Sequence, residues 1–181
     1  MSAADISPTL VLVDAYALIF RAYYAFINSR MTNARGLNTS AIYGFTAALE
    51  DVIRTQKPTH IGVVFDPSGP TFRNELYPPY KANREETPEP IKIAVPWIKK
   101  VIEAWNIPIL EVPGFEADDV IGTMSRLAEK KGFYTLMVTP DKDFTQLVTP
   151  RVKMLKPGRS GGEAEIIGPE EVLKRFQIEH P

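Results

Sequence analysis

Acidic residues set the chemistry open to this chain. Glu116, Asp118 and Asp119 fall within four consecutive positions of Pro113-Gly114-Phe115-Glu116-Ala117-Asp118-Asp119-Val120, at what reads as a helix start. Two carboxylates about 4 Å apart repel by roughly 4 kcal/mol at an effective dielectric of 20, so three held together need solvent, protons or cations. Acids in a first helical turn also complement its exposed N–H groups and positive dipole end, which accounts for the stretch without any ligand. Four further acids shift the balance, because Asp14, Asp66, Asp141 and Asp143 each follow an apolar run. An oxygen-only donor set suits Mg2+ or Mn2+ and argues against zinc. Two such ions roughly 3.5–4 Å apart activate water and stabilise the leaving oxygen in an in-line phosphodiester hydrolysis.

Strand ends must carry these acids. Thr9-Leu10-Val11-Leu12-Val13 has the composition of a strand buried on both faces, with Asp14 at its carboxyl end, where it equally suits a helix cap. His60 to Phe65 is a second strand, stopped by Asp66-Pro67; Pro108 to Val112 leads into the acidic stretch, and Tyr134 to Val138 into Asp141-Lys142-Asp143. Helices are expected over 15–26, 40–56, 91–106 and 116–131, then a short one near 144–147 and a last one over 169–176. Alternating strands and helices imply an α/β fold with a mostly parallel sheet covered on both faces, whose ligand crevice lies at the carboxyl ends of the strands. Most rings of the first helix, Tyr16, Phe20, Tyr23, Tyr24 and Phe26, are expected in the core, with a few near its start placed to face a ligand; Trp97 and Trp105 are expected in the core. The helix from Glu116 is expected to bury Val120, Ile121, Met124 and Leu127. Residues 152–156 and 163–167 read as a hairpin joined through Gly158 to Gly162, a run that lacks the lysine and serine of a phosphate-binding loop.

Residues 68–96 interrupt the alternation with repeated prolines. Inside this insertion stand Phe72-Arg73 and Tyr80-Lys81-Ala82-Asn83-Arg84, an aromatic and basic mixture suited to stacking on bases and pairing with phosphates. Glu85, Glu86 and Glu89 offset the local positive field, so a solvated loop is the competing description.

The 181 residues are 44% hydrophobic and 24% charged with a net charge of −1, the make-up of one folded domain whose overall charge neither demands nor excludes a polyanion. Without cysteine there is no disulfide, thiolate nucleophile or cysteine-zinc site. No stretch approaches the ~18 apolar residues of a membrane span and the start lacks signal-peptide features, so a soluble, cytoplasmic protein is expected; a monomer is also expected.

In order and interval, Leu12-Val13-Asp14, Tyr43-Gly44-Phe45, Val63-Val64-Phe65-Asp66, Phe72-Arg73, Tyr80-Lys81-Ala82-Asn83-Arg84, Glu116-Ala117-Asp118-Asp119 and Asp141-Lys142-Asp143 resemble the 5′-nuclease (5′-3′ exonuclease) domains of bacterial DNA polymerase I, within the flap endonuclease and PIN-like superfamily. The resemblance spans essentially the whole chain and implies a PIN-like three-layer α/β/α fold, with 68–96 as an arch or gateway. It implies that Asp14, Asp66, Glu116, Asp118, Asp119, Asp141 and Asp143 hold two divalent cations, Mg2+ or Mn2+. It also implies that Lys81 and Arg84 act on the scissile phosphate, and that Phe20, Arg73 and Tyr80 bind nucleic acid. The expected substrates are 5′-flap, nicked or branched duplex DNA and RNA primers on DNA, during replication and repair.

This sequence departs from the family's pattern at Ala15, where glycine is common, and at Phe20, where tyrosine is common. The family continues into a helical DNA-binding motif with further aspartates, so the chain is expected to be the amino-terminal piece of a longer polymerase or nuclease with an incomplete second cation site. A DNA-binding module with little turnover and a PIN-type ribonuclease are the alternatives. A haloacid-dehalogenase-type phosphatase is excluded, because it needs an aspartate where Tyr16 stands.

Overall fold

The computed structural model describes residues 7–29, 31–158 and 162–177. Its strands are β1 (Thr9–Asp14), β2 (His60–Val64), β3 (Ile109–Leu110), β4 (Tyr134–Val138), β5 (Val152–Lys156) and β6 (Glu165–Ile167), in one sheet ordered β3-β2-β1-β4-β5-β6. Pairing is parallel throughout except between β5 and β6. Its helices are α1 (Ala15–Ala25), α2 (Ser40–Gln56), α3 (Phe72–Leu76), α4 (Glu89–Ala104), α5 (Ala117–Lys130) and α6 (Pro169–Phe176), with a 3-10 helix at Lys142–Leu147.

Two-residue alternation in the strands feeds two separate cores. Val11, Val13, Val63, Phe65, Leu136 and Val138 pack with α1, α2 and α4 on one face; Leu12, Val64, Met137 and Met154 pack with α5 and α6 on the other. The central strands are therefore apolar on both sides, and polar groups are pushed to the strand ends. Register sets Asp14 opposite Val64 and Val13 opposite Val138, so β1, β2 and β4 finish at one level with acids just beyond. On the first face α1 and α2 approach closely at Gly44, where a Cβ would stand 2.8 Å from Ala22 Cβ.

Several expectations need correction. The insertion ends at Pro88 rather than at residue 96, because α4 begins at Glu89 with Pro90 in its first turn, where the missing N–H costs nothing. The insertion also contains α3, which the proline spacing hid. Trp97 and Trp105 are exposed: α4 buries Ile91, Ala94, Ile98 and Ile102, so Trp97 lies about 100° off that line, and Trp105 is the C-cap. Leu127 is likewise exposed, since α5 buries Ala117, Val120, Ile121, Ser125 and Ala128. The rings of α1 are only partly buried and Tyr24 is exposed; the fully buried positions of that helix are Ala15, Leu18, Ile19 and, nearly so, Ala22. Residues 159–161 of the glycine run lie outside the described residues. Among the described residues, no helix is long and apolar enough to cross a membrane.

Candidate active site

Each acid reaches the site on a structural element that also uses it. Asp14 ends β1 and caps α1: its Oδ1 accepts the Ala17 N–H at 3.2 Å and its Oδ2 accepts the Thr139 hydroxyl at 3.0 Å. Burial pushes its carboxyl up to about 6; these two hydrogen bonds pull it down, and the nearby Asp66 and Asp141 push it up again. Asp66 follows β2 and accepts the Ala117 N–H at 2.9 Å, which ties that strand end to the start of α5. Glu116 is the buried N-cap of α5, and its Oε2 accepts from Lys81 Nζ at 2.8 Å and from the Tyr80 hydroxyl at 3.2 Å. Asp118 accepts the Asp119 N–H at 2.8 Å; burial, then Asp119, raise its pKa against the opposing Arg73. Asp141 caps the 3-10 helix by accepting the Asp143 N–H at 3.0 Å.

These six acids line one cleft of about 340 Å3 together with Tyr16, Phe20, Tyr80, Lys81 and Arg84. Phe20 presents its ring at the cleft wall and stacks against Tyr24 at 6.4 Å between centroids. Arg84 is exposed and makes no ion pair among the described residues.

Asp119 and Arg73 stand elsewhere. Arg73 grips Asp119 with both guanidinium nitrogens, Nη1 to Oδ2 at 2.5 Å and Nη2 to Oδ1 at 2.8 Å, and Oδ2 also accepts the Glu116 N–H at 3.0 Å. Neither residue lines the cleft; Asp119 borders an apolar hollow with Val112, Phe115 and Met124. Burial raises the Asp119 carboxyl, but the Arg73 and Glu116 hydrogen bonds bring it below the usual carboxylate range. Asp119 was expected among the cation ligands and Arg73 among the DNA contacts; in this arrangement each is committed to the other.

The grip fastens the insertion to the acidic stretch. The Phe72 N–H donates to the Gly114 carbonyl at 2.9 Å, and Gly114 sits at φ +85°, a conformation that favours glycine. Beyond α3 the chain turns through Pro79–Arg84 with Lys81 at φ +58°, which brings the Lys81 ammonium back over Glu116. Sequence reasoning missed Thr139, whose buried hydroxyl donates to Asp14 and accepts the Asp141 N–H at 3.2 Å. Tyr16, a ring near the start of the first helix, is a wall residue as that position allowed; burial, then Asp66 and Glu111, push its phenol up. Thr139 directly between a buried strand and Asp141 was the available signal.

The donor chemistry fits a hard divalent cation: the acids are oxygen donors only, and a buried Asp14 beside Asp66 and Asp141 gains from a neutralising charge. Among the described residues no three acids stand grouped at ligating spacing, since Glu116 is held by Lys81, and Asp14 and Asp66 by backbone N–H groups. Carboxylates that end or follow four strands line the cleft together with Lys81 and Arg84.

Known proteins share this arrangement of elements. DNA polymerase I of Mycobacterium bovis is 43% identical over 171 residues, covering 94% of this chain and 19% of that protein. The 5′-3′ exonuclease of Aquifex aeolicus is 36% identical over 94% of this chain and 57% of its own length. The chain thus spans about a fifth of the polymerase relatives it matches. Among solved structures, the 5′-exonuclease of phage T5 with divalent metal ions (zinc) bound aligns over 95% of this chain and 62% of its own at a TM-score of 0.69 and 18% identity. Flap endonuclease-1 of Methanococcus jannaschii aligns over 96% of this chain and 60% of its own at 0.55 and 16% identity. These likenesses establish the PIN-like fold of the flap endonucleases and 5′-exonucleases. Residues 9–177 match the model of the 5′-3′ exonuclease N-terminal resolvase-like domain, and the chain belongs to that family.

Proposed function

We propose that this chain is the catalytic domain of a metal-dependent, structure-specific 5′-3′ exonuclease and flap endonuclease that hydrolyses phosphodiesters of DNA or of RNA primers on DNA. One observation carries the reading: acids from four strand ends and two cations from the insertion line a single cleft. At about 340 Å3 the cleft is at the small end of ligand sites and suits one nucleotide unit of a threaded strand better than a duplex. Asp14, Asp66, Glu116 and Asp118 would hold the first Mg2+ or Mn2+, and Asp141 and Asp143 the second. When bound, such ions supply an activated water and charge for the leaving oxygen. Lys81 and Arg84 pair with the scissile phosphate, and Phe20 and Tyr80 stack on the bases beside it. Asp119 and Arg73 act as positioning residues that fasten the gateway to α5.

The polymerase relatives support a place beside polymerase domains in a longer protein; in this reading that protein is cytoplasmic and acts as a monomer on 5′-flap, nicked or branched duplexes. Cleavage of a 5′-flap duplex by the longer protein tests the reading. Mg2+-dependent cutting near the junction is expected; cutting without Mg2+, or full activity in the Asp141→Asn, Asp143→Asn double variant, would sink it. The absence of three grouped acids among the described residues favours a second reading, in which residues 1–181 alone bind flap DNA with little turnover. Comparing binding and cleavage by this chain and by the longer protein separates the two. Equal cutting of unstructured RNA would instead favour a PIN-type ribonuclease.

A further inference from the structure

We infer that Lys81 is the resident counter-ion of Glu116 and competes with a divalent cation for it, so that cation binding and docking of the gateway oppose one another. The inference rests on the nuclease reading, since it takes the cleft acids as ligands of a hard cation.

Glu116 is buried at 6% exposure, and a buried carboxylate needs a partner charge. Its nearest cation is Lys81 at 2.8 Å; Arg73 stands at 3.7 Å and spends its fork on Asp119. Lys81 Nζ and the Tyr80 hydroxyl both donate to the same oxygen, Oε2, which fills its two lone pairs. A cation taking Oε2 therefore has to displace a donor, and one taking the other oxygen, Oε1, still shares the carboxylate with the Lys81 ammonium, so the two positive charges repel either way.

The gateway has two attachments of different kinds. At its near end, Phe72 to Gly114 and Arg73 to Asp119 involve no atom that faces the cleft. At its far end, the turn over Pro79–Arg84 carries Lys81 at φ +58°, a backbone state disfavoured for a lysine, and the bond to Glu116 helps to hold it. Displacing Lys81 loosens the far turn, leaving it the weaker hold of the Tyr80 hydroxyl on Glu116 and of the Asn74 amide on the Tyr80 carbonyl, and leaves α3 fastened. The ammonium then becomes available to a phosphate, so one residue serves Glu116 in the free protein and the substrate in the loaded one.

The test measures Mn2+ binding and amide exchange, not turnover. Free Mn2+ is followed by its electron paramagnetic resonance signal during titration of wild-type protein, Lys81→Gln and Lys81→Arg. Loss of one charge-assisted hydrogen bond, with removal of a repelling charge, is expected to tighten binding in Lys81→Gln by about ten-fold. Lys81→Arg should stay within about two-fold of wild type, and Tyr80→Phe should fall between wild type and Lys81→Gln. In wild type, Mn2+ should speed hydrogen exchange at Ala82 and Arg84, whose N–H groups close the turn, and leave Tyr77 at the end of α3 unchanged. Lys81 is partly exposed, so its replacement leaves the cores intact. Equal Mn2+ affinity in wild type and Lys81→Gln, or slower exchange at Ala82 and Arg84 with Mn2+, overturns the inference while the nuclease reading stands. No saturable Mn2+ binding to any of these proteins overturns both.

Discussion

Asp14→Asn separates what the cleft asks of a carboxylate from what the fold asks of it. Asp14 is buried at 8% exposure, and its pKa rises from 3.8 to about 6, chiefly through burial. A carboxyl raised in the folded state binds its proton more tightly there. Its contribution is thus fully present below about pH 3.8 and is lost as pH rises through about 6. Above that window a shift of roughly two units means that ionised Asp14 costs the fold about 3 kcal/mol, and the cost halves near pH 5 and drops below about 1 kcal/mol at pH 4. Asparagine keeps the shape, accepts the Ala17 N–H and donates to Thr139 Oγ1, and carries no charge. In EDTA the variant should melt about 5–10 °C above wild type at pH 7.5, with the gap closing towards pH 4. Circular dichroism melts across that pH range measure the difference. Excess Mg2+ should reverse it, raising the wild-type melting temperature and leaving the variant's unchanged. A gap independent of pH, or a variant less stable than wild type at pH 7.5, would refute the account of Asp14 as a buried, strained charge.

Three further outcomes follow from the site and its supports. With the longer protein and 5′-flap DNA, Lys81→Ala should lower the single-turnover rate by about 100-fold or more and change the Kd by less than about three-fold, because its charge is needed where the phosphate changes; equal losses in both would make Lys81 a tether. Asp119→Asn should cost about 1–3 kcal/mol in urea unfolding, by breaking the Arg73 fork, and leave Mn2+ affinity near wild type, whereas Asp118→Asn should do the reverse. Gly44→Ala should destabilise by about 1–3 kcal/mol, because its Cβ would lie 2.8 Å from Ala22 Cβ, and adding Ala22→Gly should restore much of the loss.

The parts of the fold that periodicity controls were legible in the sequence. Apolar five-residue runs gave β1, β2 and β4, and the acid after each run gave the level at which the cleft opens. The parts that proline controls were not, because a proline in a helix's first turn and one in a loop look alike in sequence, and α4 took back its first turns from the insertion. Trp97 and Leu127 differ from expectation for another reason: apolar character alone does not place a residue on the buried line, which Ile98 occupies in one helix and Ala128 in the other. Thr139 escaped notice because a threonine at a strand end is ordinary until its hydroxyl is seen on Asp14.

The acidic stretch itself shows why adjacency in sequence does not mean a shared role. Asp118 and Asp119, adjacent in the first turn of α5, point about 100° apart and so cannot face the same way, while Glu116, the N-cap, has extended backbone and is not placed by that rotation. Glu116 and Asp118 turn towards the cleft, while Asp119 turns out to meet Arg73. The outward acid still serves the inward one: Asp119 Oδ2 accepts the Glu116 N–H and fixes the backbone from which the buried Glu116 side chain projects. Lys81 then closes the circuit from the opposite side, since the segment that Arg73 fastens is the one that delivers the ammonium to Glu116. Three neighbouring acids thus divide into cleft carboxylates and an anchor, and the anchor determines where the basic side chains of the insertion can reach.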